Sequence, residues 1–476
     1  MDDRVAEHNT QAVIHGKDFS MLEEKNLIEI DCKKSLLHSS YLLQSVDKNL
    51  GIYKKNEKYY TSRFCGITWL RTEDGEKCMH DKKPVILKIS PRFNTLNVNS
   101  MLLKIAEDDE FTEYLSWNKS PGERLVTFFF DEEMIEDMKV DDNHNQLIAA
   151  YTFLLSLQDI TRRPLMSKNI KRTGNFTGKV RGTISIKQNI RNNVLRGHQE
   201  RIYCRYYEKT EDIPENQILK YALLRVEEYF NHIFSNNKAD KAASLIRTCK
   251  YRMRHISTVK FQPKDIDHVI LPNMYTKYRV VYQMAKVILS EMSVIPENGE
   301  SQGACIVPYA INMPLLFECY VRALVKEVIK EKEGKSVPKL LKYVSDKSEI
   351  MDTMEYGCIE VTKGDKVYIS GKIVPDIVLE YTEKEGEKYY RIFDVKYKDF
   401  AESQRKNQNR DDRIQLLAYN CIYQSRGKTG HIFPKIDHQD KNDNINENNE
   451  KLEEIIIDED TESKNESPYY VKCFIG

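Results

Sequence analysis

The sequence predicts a multidomain α+β and α/β chain. A strand-rich N-terminal domain spans 1–160, and a basic strand segment with a helical middle region follows over 161–265. Helix patterns with a hairpin-like pair of strands between them occupy 266–436, and an acidic, Asn-rich flexible segment ending in a strand closes the chain over 437–476. Three observations carry this reading. The 476 residues exceed what one ordinary core holds, so two or three domains are expected. Composition shifts at 161 and again at 437. Between 313 and 423 a helical pattern, two strand patterns and a second helical pattern follow one another.

In the first segment, short β-type runs alternate with turns: Tyr59-Tyr60-Thr61, Gly66 to Leu70, and Pro84 to Ile89. The apolar run Leu147–Leu157 then reads as a buried helix, too short to span a membrane. From 161 to 205 the chain carries twelve Lys or Arg residues against the single acid Glu200, and Gly178–Ile186 within it reads as a strand. Helical patterns follow from about Glu215 to Phe234 and Lys277 to Met292. Another runs from Pro314 to Lys330, with Leu316, Cys319, Tyr320, Ala323, Leu324 and Val328 on one stripe. Pro314 suits a first turn, where its missing N–H costs nothing.

Strand patterns cover Ile373–Leu379 and Tyr390–Tyr397, joined by the charged turn Glu383–Glu387. An amphipathic helix follows from about Arg413 to Tyr423, with Ile414, Leu417, Ala418, Cys421 and Ile422 as its expected buried stripe. Residues 437–466 hold twelve acids against three lysines and read as flexible, with a short strand at Ile455–Ile457.

The chemistry concentrates between 370 and 423. Alternation along a strand places Asp394 and Lys396 on one face, and Asp376 on the neighbouring strand faces them across the ladder. Two converging carboxylates repel, and one takes up a proton unless a cation intervenes. A hard divalent ion with oxygen ligands resolves the repulsion: Mg2+, with Mn2+ as the alternative. Such an ion polarises a phosphodiester and helps generate hydroxide. Lys396 then orients the attacking water, stabilises the transition state, or acts as the base if its pKa falls; the sequence leaves these roles open. Gln415, sharing a helix edge with Tyr419, is placed to hold a water, a phosphate or that lysine. Glu318, amid Phe317 and Val321, is either a further metal ligand or a residue at its helix edge. An Asp and a Lys two apart in a hairpin also occur on ordinary solvated strands.

The order helix with Glu318, strand with Pro375-Asp376, strand with Asp394-Val395-Lys396 and helix with Gln415 and Tyr419 resembles the PD-(D/E)xK nuclease superfamily. More narrowly, Met313–Val321, Val374–Leu379, Phe393–Lys398, Gln415–Tyr419 and His431–Pro434 resemble the McrC family, the nuclease subunits of McrBC 5-methylcytosine restriction systems. Gly178–Gly182 with Glu215–Leu223 resembles that family's middle segment, and Tyr59–Pro91 its N-terminal domain; the acidic stretch departs from the pattern. The resemblance implies a restriction-endonuclease-like PD-(D/E)xK fold over 266–436, a mixed central sheet flanked by helices, and a Mg2+-dependent endonuclease whose metal ligands are Asp376, Asp394 and Glu318. It also implies a McrB-like AAA+ GTPase hexamer, docked through the N-terminal domain and stimulated by this subunit. The implied substrate is double-stranded DNA carrying modified cytosine. No Gly-x-x-x-x-Gly-Lys-[Ser/Thr] phosphate loop is present: Ile422 stands where Gly427-Lys428-Thr429 needs its first glycine, and Gly174 to Lys179 is misspaced.

Arg162, Arg163, Lys171, Arg172, Lys179 and Arg181 form the core of the basic segment and read as DNA- or partner-binding, or as a solvated face. The balance of 73 basic and 73 acidic residues makes only their distribution informative. Ten cysteines without a Cys-x-x-Cys pair argue for reduced thiols in a cytoplasmic, prokaryotic protein and against structural zinc. Met1-Asp2-Asp3-Arg4 lacks a secretory pattern, and no stretch has the length of a membrane span. Two other readings stand beside the restriction nuclease. One is a repair-type exonuclease working with a helicase, and the other a non-catalytic adaptor of the motor.

Overall fold

A computed structural model describes residues 13–22, 50–106, 108, 114, 124–138, 144–233, 240–261, 269, 271, 276–291, 304–331, 339–340, 358–372, 375–382, 388–400, 408–435, 451–456 and 469–475, apart from 57, 73–74, 81, 130–131, 134 and 364–365. The expected strand start at Ile373-Val374, the turn at Glu383–Glu387 and most of the acidic segment lie outside these residues. Spatial clustering divides the chain into two units, one of Met1–Glu132 with Pro308–Gly476 and one of Glu133–Val307.

In the first unit, a five-stranded sheet runs in the order Val13–Lys17, Ile86–Ser90, Phe64–Trp69, Tyr309–Asn312, Val126–Phe128. Phe64–Trp69 is buried along its whole length, which is why it reads as an apolar run rather than an alternation. Tyr309–Asn312 lies antiparallel to both Phe64–Trp69 and Val126–Phe128, bringing the chain back into the first sheet. Gly66 makes that approach possible: at φ +154° an added Cβ would stand 2.1 Å from the Tyr309 carbonyl oxygen.

The returning chain leads directly into the helix Met313–Glu331, which carries Glu318 and packs against the helix Val98–Ala106. A second sheet is mixed, in the order Lys339–Leu340, Ile377–Thr382, Lys388–Val395, Lys428–Pro434, Tyr469–Ile475. Its first three strands are antiparallel neighbours and the last two add in parallel. The Glu318 helix and the helix Gln408–Tyr423 both pack on the Asp394 strand, Lys388–Val395.

Two expectations about this region change. The inward face of Gln408–Tyr423 is Leu416, Tyr419 and Tyr423, packed with Val378 and Ile392. Ile414 and Leu417 are 52% and 61% exposed and Cys421 is exposed, while Ala418 is half-buried and Ile422 packs at the edge of the cluster, so most of the expected stripe faces away from the core. The helix offers two apolar stripes, and the large aromatic one wins the burial. Ile455 and Ile456 lie in a helix, Leu452–Ile456, instead of a strand; both are buried, so packing overrides the β preference of an isoleucine run.

In the second unit, the helices His144–Thr161, Pro214–Ile233, Asp240–Arg252 and Thr276–Glu291 pack on one another. The basic segment forms an antiparallel sheet of Lys168–Thr177, Arg201–Thr210 and Thr183–Ile184. The strand expected over Gly178–Ile186 shrinks to Thr183–Ile184, because Gly178 and Gly182 turn at φ +65° and +75° and Ile186 begins a short helix. Among the described residues, no helix is long and apolar enough to cross a membrane.

Candidate functional site

The site grows from the hairpin of Ile377–Thr382 and Lys388–Val395, in which Ile377 pairs with Phe393. Asp376 immediately precedes the first strand, and its Oδ2 accepts the Val395 N–H at 2.7 Å. Asp394 is buried near the end of the second strand. Lys396 lies just past that end, where its backbone N–H still donates to the Ile432 carbonyl at 2.9 Å.

Side chains of Asp394 and Lys396 meet, with Lys396 Nζ 2.5 Å from Asp394 Oδ2. The same ammonium donates to Gln415 Oε1 at 3.0 Å and stands 4.0 Å from Asp412 Oδ1. Gln415 Nε2 in turn donates to Tyr419 Oη at 2.6 Å. Glu318 approaches from its own helix, with Arg322 3.6 Å from its carboxylate.

Electrostatics follow from this crowding. Burial raises the Asp376 carboxyl well above its ordinary range, and the charges of Glu318 and Asp394 push it further. Burial alone would lower the Lys396 ammonium, but Asp394, Asp376 and Asp412 outweigh it and hold the lysine above its usual value. Lys396 is therefore a cation at neutral pH. Glu318, Asp376 and Asp394 are thus electrostatic neighbours, and the lysine and glutamine join the same cluster.

The carboxylate donors are chemically suited to Mg2+ or Mn2+. Asp394 Oδ2 is buried and forms no hydrogen bond of normal geometry, despite its proximity to Lys396. Among the described residues, no three His, Cys, Asp or Glu side chains are already gathered as a metal cage. Accepting an ion would draw Asp394 partly away from Lys396.

Several neighbours escaped sequence reasoning. Asp412 pairs with Lys398 and approaches Lys396. His431, buried on the strand Lys428–Pro434, pairs in register with Asp394. Burial drives the His431 imidazole down to about 4, against the pull of Asp394, so it is neutral at pH 7. Asp18 and Arg92 brace the residue after Lys396. Arg92 donates its backbone N–H to Asp18 Oδ1 at 2.6 Å and its guanidinium to the Tyr397 carbonyl at 2.5 Å. That guanidinium lies 4.8, 4.6 and 5.2 Å from the ring centres of Phe19, Phe93 and Tyr397. In the sequence, His431 opens the segment His431–Pro434 that carries the family resemblance, Asp412 adjoins the helix pattern from Arg413 and Arg92 follows the strand pattern Pro84–Ile89, but nothing there singles out their side chains.

The basic residues belong to the second unit. Arg162, Arg163, Lys171, Arg172, Lys179 and Arg181 are all exposed. Glu208, just beyond the segment, lies 3.7 Å from Arg172 and 3.3 Å from Arg181, and Glu215 pairs with Lys168. Arg181 and Lys179 lie 4.1 and 6.0 Å from the ring centres of Tyr206 and Phe176.

A family model described as McrBC 5-methylcytosine restriction system component matches residues 81–434. No curated protein matches the chain. Among solved structures, it is similar to a chain in a half-complex from the tetradecameric assembly of Thermococcus gammatolerans McrB AAA+ hexamers with bound McrC. That alignment has 13% identity and a TM-score of 0.34, and covers 98% of this chain and 95% of the other. A chain of the Thermococcus gammatolerans McrBC complex is similar at 12% identity and a TM-score of 0.30, with 67% and 88% covered.

Proposed function

The chain belongs to the McrBC 5-methylcytosine restriction system component family, and from that premise we propose that it is the system's DNA-cleaving subunit, a divalent-cation-dependent endonuclease of PD-(D/E)xK type. The observation that carries this reading is the buried Asp394 meeting Lys396 at 2.5 Å beside Asp376, whose carboxyl is raised by burial and by the charges of Glu318 and Asp394. Acids that raise one another in this way ionise together more readily when a divalent cation is bound.

Asp376 and Asp394, with Glu318, would hold Mg2+ or Mn2+. When bound, that ion polarises the scissile phosphodiester and offsets the charge developing on it. Lys396, a cation throughout the neutral range, neutralises charge on the phosphoryl oxygens and orients the attacking water; its raised pKa argues against the role of base. Gln415 holds that ammonium and is itself steadied by Tyr419, so the lysine is fixed from two sides. The substrate is double-stranded DNA with modified cytosine. The partner is a McrB-like AAA+ GTPase hexamer, which this subunit stimulates.

The test is cleavage of methylated and unmethylated DNA by the complex with GTP and Mg2+, comparing wild type with Asp394→Ala. The variant is expected to lose cleavage by at least about 100-fold, the order seen when a transition-state interaction is removed, and to keep stimulating GTP hydrolysis. Unchanged cleavage removes the site. Cutting that proceeds from ends, with a helicase in place of the GTPase, would favour a repair-type exonuclease.

A further inference from the structure

His431 faces Asp394 from the neighbouring strand. The two are register partners in a parallel pair, so their side chains project from the same face of the sheet. Both side chains are almost wholly buried, at 2% and 3% exposure. His431 Nε2 lies 3.9 Å from Asp394 Oδ2 and has no hydrogen-bond partner, while that carboxylate oxygen is ion-paired with Lys396 at 2.5 Å. On its other side, His431 Nδ1 is 3.1 Å from the Tyr470 hydroxyl. A buried polar atom left unsatisfied is costly, and one facing a buried carboxylate calls for a functional account.

The carboxylate favours one tautomer. A carboxylate only accepts, so an Nε2 lone pair turned toward Asp394 would be repelled, whereas an Nε2–H is attracted. Nδ1 then has to accept, and the Tyr470 O–H is there to donate to it. At 3.9 Å the histidine and the carboxylate are beyond direct hydrogen bonding and near the span that one water bridges.

We propose that His431, set by Tyr470, is a positioning residue for Asp394: its Nε2–H, through one water, orients the carboxylate oxygen that also meets Lys396. With that water in place, Tyr470, His431 and Asp394 would form one line of hydrogen bonds running inward from the strand Tyr469–Ile475. This rests on the reading of Asp394 as a ligand of the divalent ion. Partners that orient ligands from behind typically govern ion affinity by 10–100-fold.

The experiment measures Mn2+ binding to the full chain by calorimetry without DNA, for wild type, Asp394→Ala, His431→Phe and His431→Gln. His431→Phe, which keeps the ring and drops the donor, is expected to weaken Mn2+ by about 10-fold or more while thermal stability holds or rises. His431→Gln, which restores an N–H donor, is expected to recover most of that loss. Affinity of His431→Phe within twofold of wild type overturns the proposal, provided Asp394→Ala weakens binding. Binding that Asp394→Ala leaves unchanged overturns instead the reading of the site on which it rests. A second measurement needs no metal. In protein with 15N-labelled histidine, the His431 signals, identified by their loss in His431→Phe, are expected to report the Nε2–H tautomer. An Nδ1–H tautomer also overturns the proposal.

Discussion

Lys396 answers to opposing forces, and their balance decides its part in the chemistry. Burial favours the neutral amine, while Asp394, Asp376 and Asp412 favour the ammonium and prevail. Gln415 then aims a charge rather than a lone pair. Gln415→Ala is expected to slow single-turnover cleavage about 10–100-fold, as loss of an orienting partner does, with the unfolding midpoint little moved because Gln415 is half-exposed. Asp18 poses a different problem at the same scale. Burial raises its carboxyl from 3.8 to about 6, partly offset by the Arg92 charge and hydrogen bond. The folded state thus binds the proton more tightly than the unfolded chain does. The resulting stabilisation is complete below the ordinary carboxylate range and is lost as pH rises through about 6. Asp18→Asn keeps the shape without the titration, so its stability relative to wild type is expected to grow between about pH 4 and pH 7 by up to about 3 kcal/mol. Urea unfolding across that range checks it, and a difference independent of pH would refute it. Asp394 and Lys396 were legible as a pair from their two-residue spacing, and Asp376 from the adjoining strand pattern that pairs with theirs. His431, Asp412 and Asp18 were not, because each reaches the cluster from another segment through pairing or packing that local periodicity does not encode.

Elements were legible by type more readily than by face. The helices around 147–158, 215–234, 277–292 and 314–330 appear as His144–Thr161, Pro214–Ile233, Thr276–Glu291 and Met313–Glu331, and the two strands of the site hairpin are present. Their period is a property of the chain itself. Which stripe turns inward is a property of what the helix meets, and Gln408–Tyr423 shows the difference. Leu416 joins Val378 and Ile392 in a buried cluster, while its neighbour Leu417 is 61% exposed. Leu416→Ala is therefore expected to cost about 2–5 kcal/mol, through forfeited transfer energy and the cavity left behind. Leu417→Ala is expected to stay within about 0.5 kcal/mol of wild type. Equal destabilisation of the two variants in urea would mean that the helix is rotated from the face described. The basic segment teaches the same lesson for strands. Its apolar and basic residues alternate across Gly178–Ile186, yet glycines at positive φ divide that stretch into a turn and a two-residue strand.

At the scale of the molecule, sequence order and spatial order diverge. Tyr309–Asn312 enters the first sheet beside Phe64–Trp69, a strand some 245 residues earlier in the chain, and no composition shift marks that return. Charge is likewise a matter of placement. With 73 basic and 73 acidic residues there is no net field to gather DNA, so attraction has to come from local clusters. The basic segment is the strongest such cluster, but it is not uniform. Arg172 and Arg181 lie near Glu208, which already offsets part of their charge. Lys171, on the strand Lys168–Thr177, and Lys179, in the turn beyond it, are exposed, as are Arg162 and Arg163 past the helix His144–Thr161. If this surface tracks a DNA backbone, each neutralised phosphate releases counterions and steepens the salt dependence by about 0.9 in the logarithmic slope. The pair Lys171→Gln and Lys179→Gln is then expected to flatten that slope by close to 2, about 0.9 for each phosphate no longer neutralised. Arg172→Gln with Arg181→Gln is expected to flatten it less, since removing them also frees Glu208 to repel the backbone at every salt concentration. Fluorescence anisotropy between about 50 and 200 mM salt, the range over which phosphate neutralisation changes affinity most visibly, separates the two pairs. A slope unaltered by either would show that DNA does not run over this sheet, and would leave its charge to a protein partner.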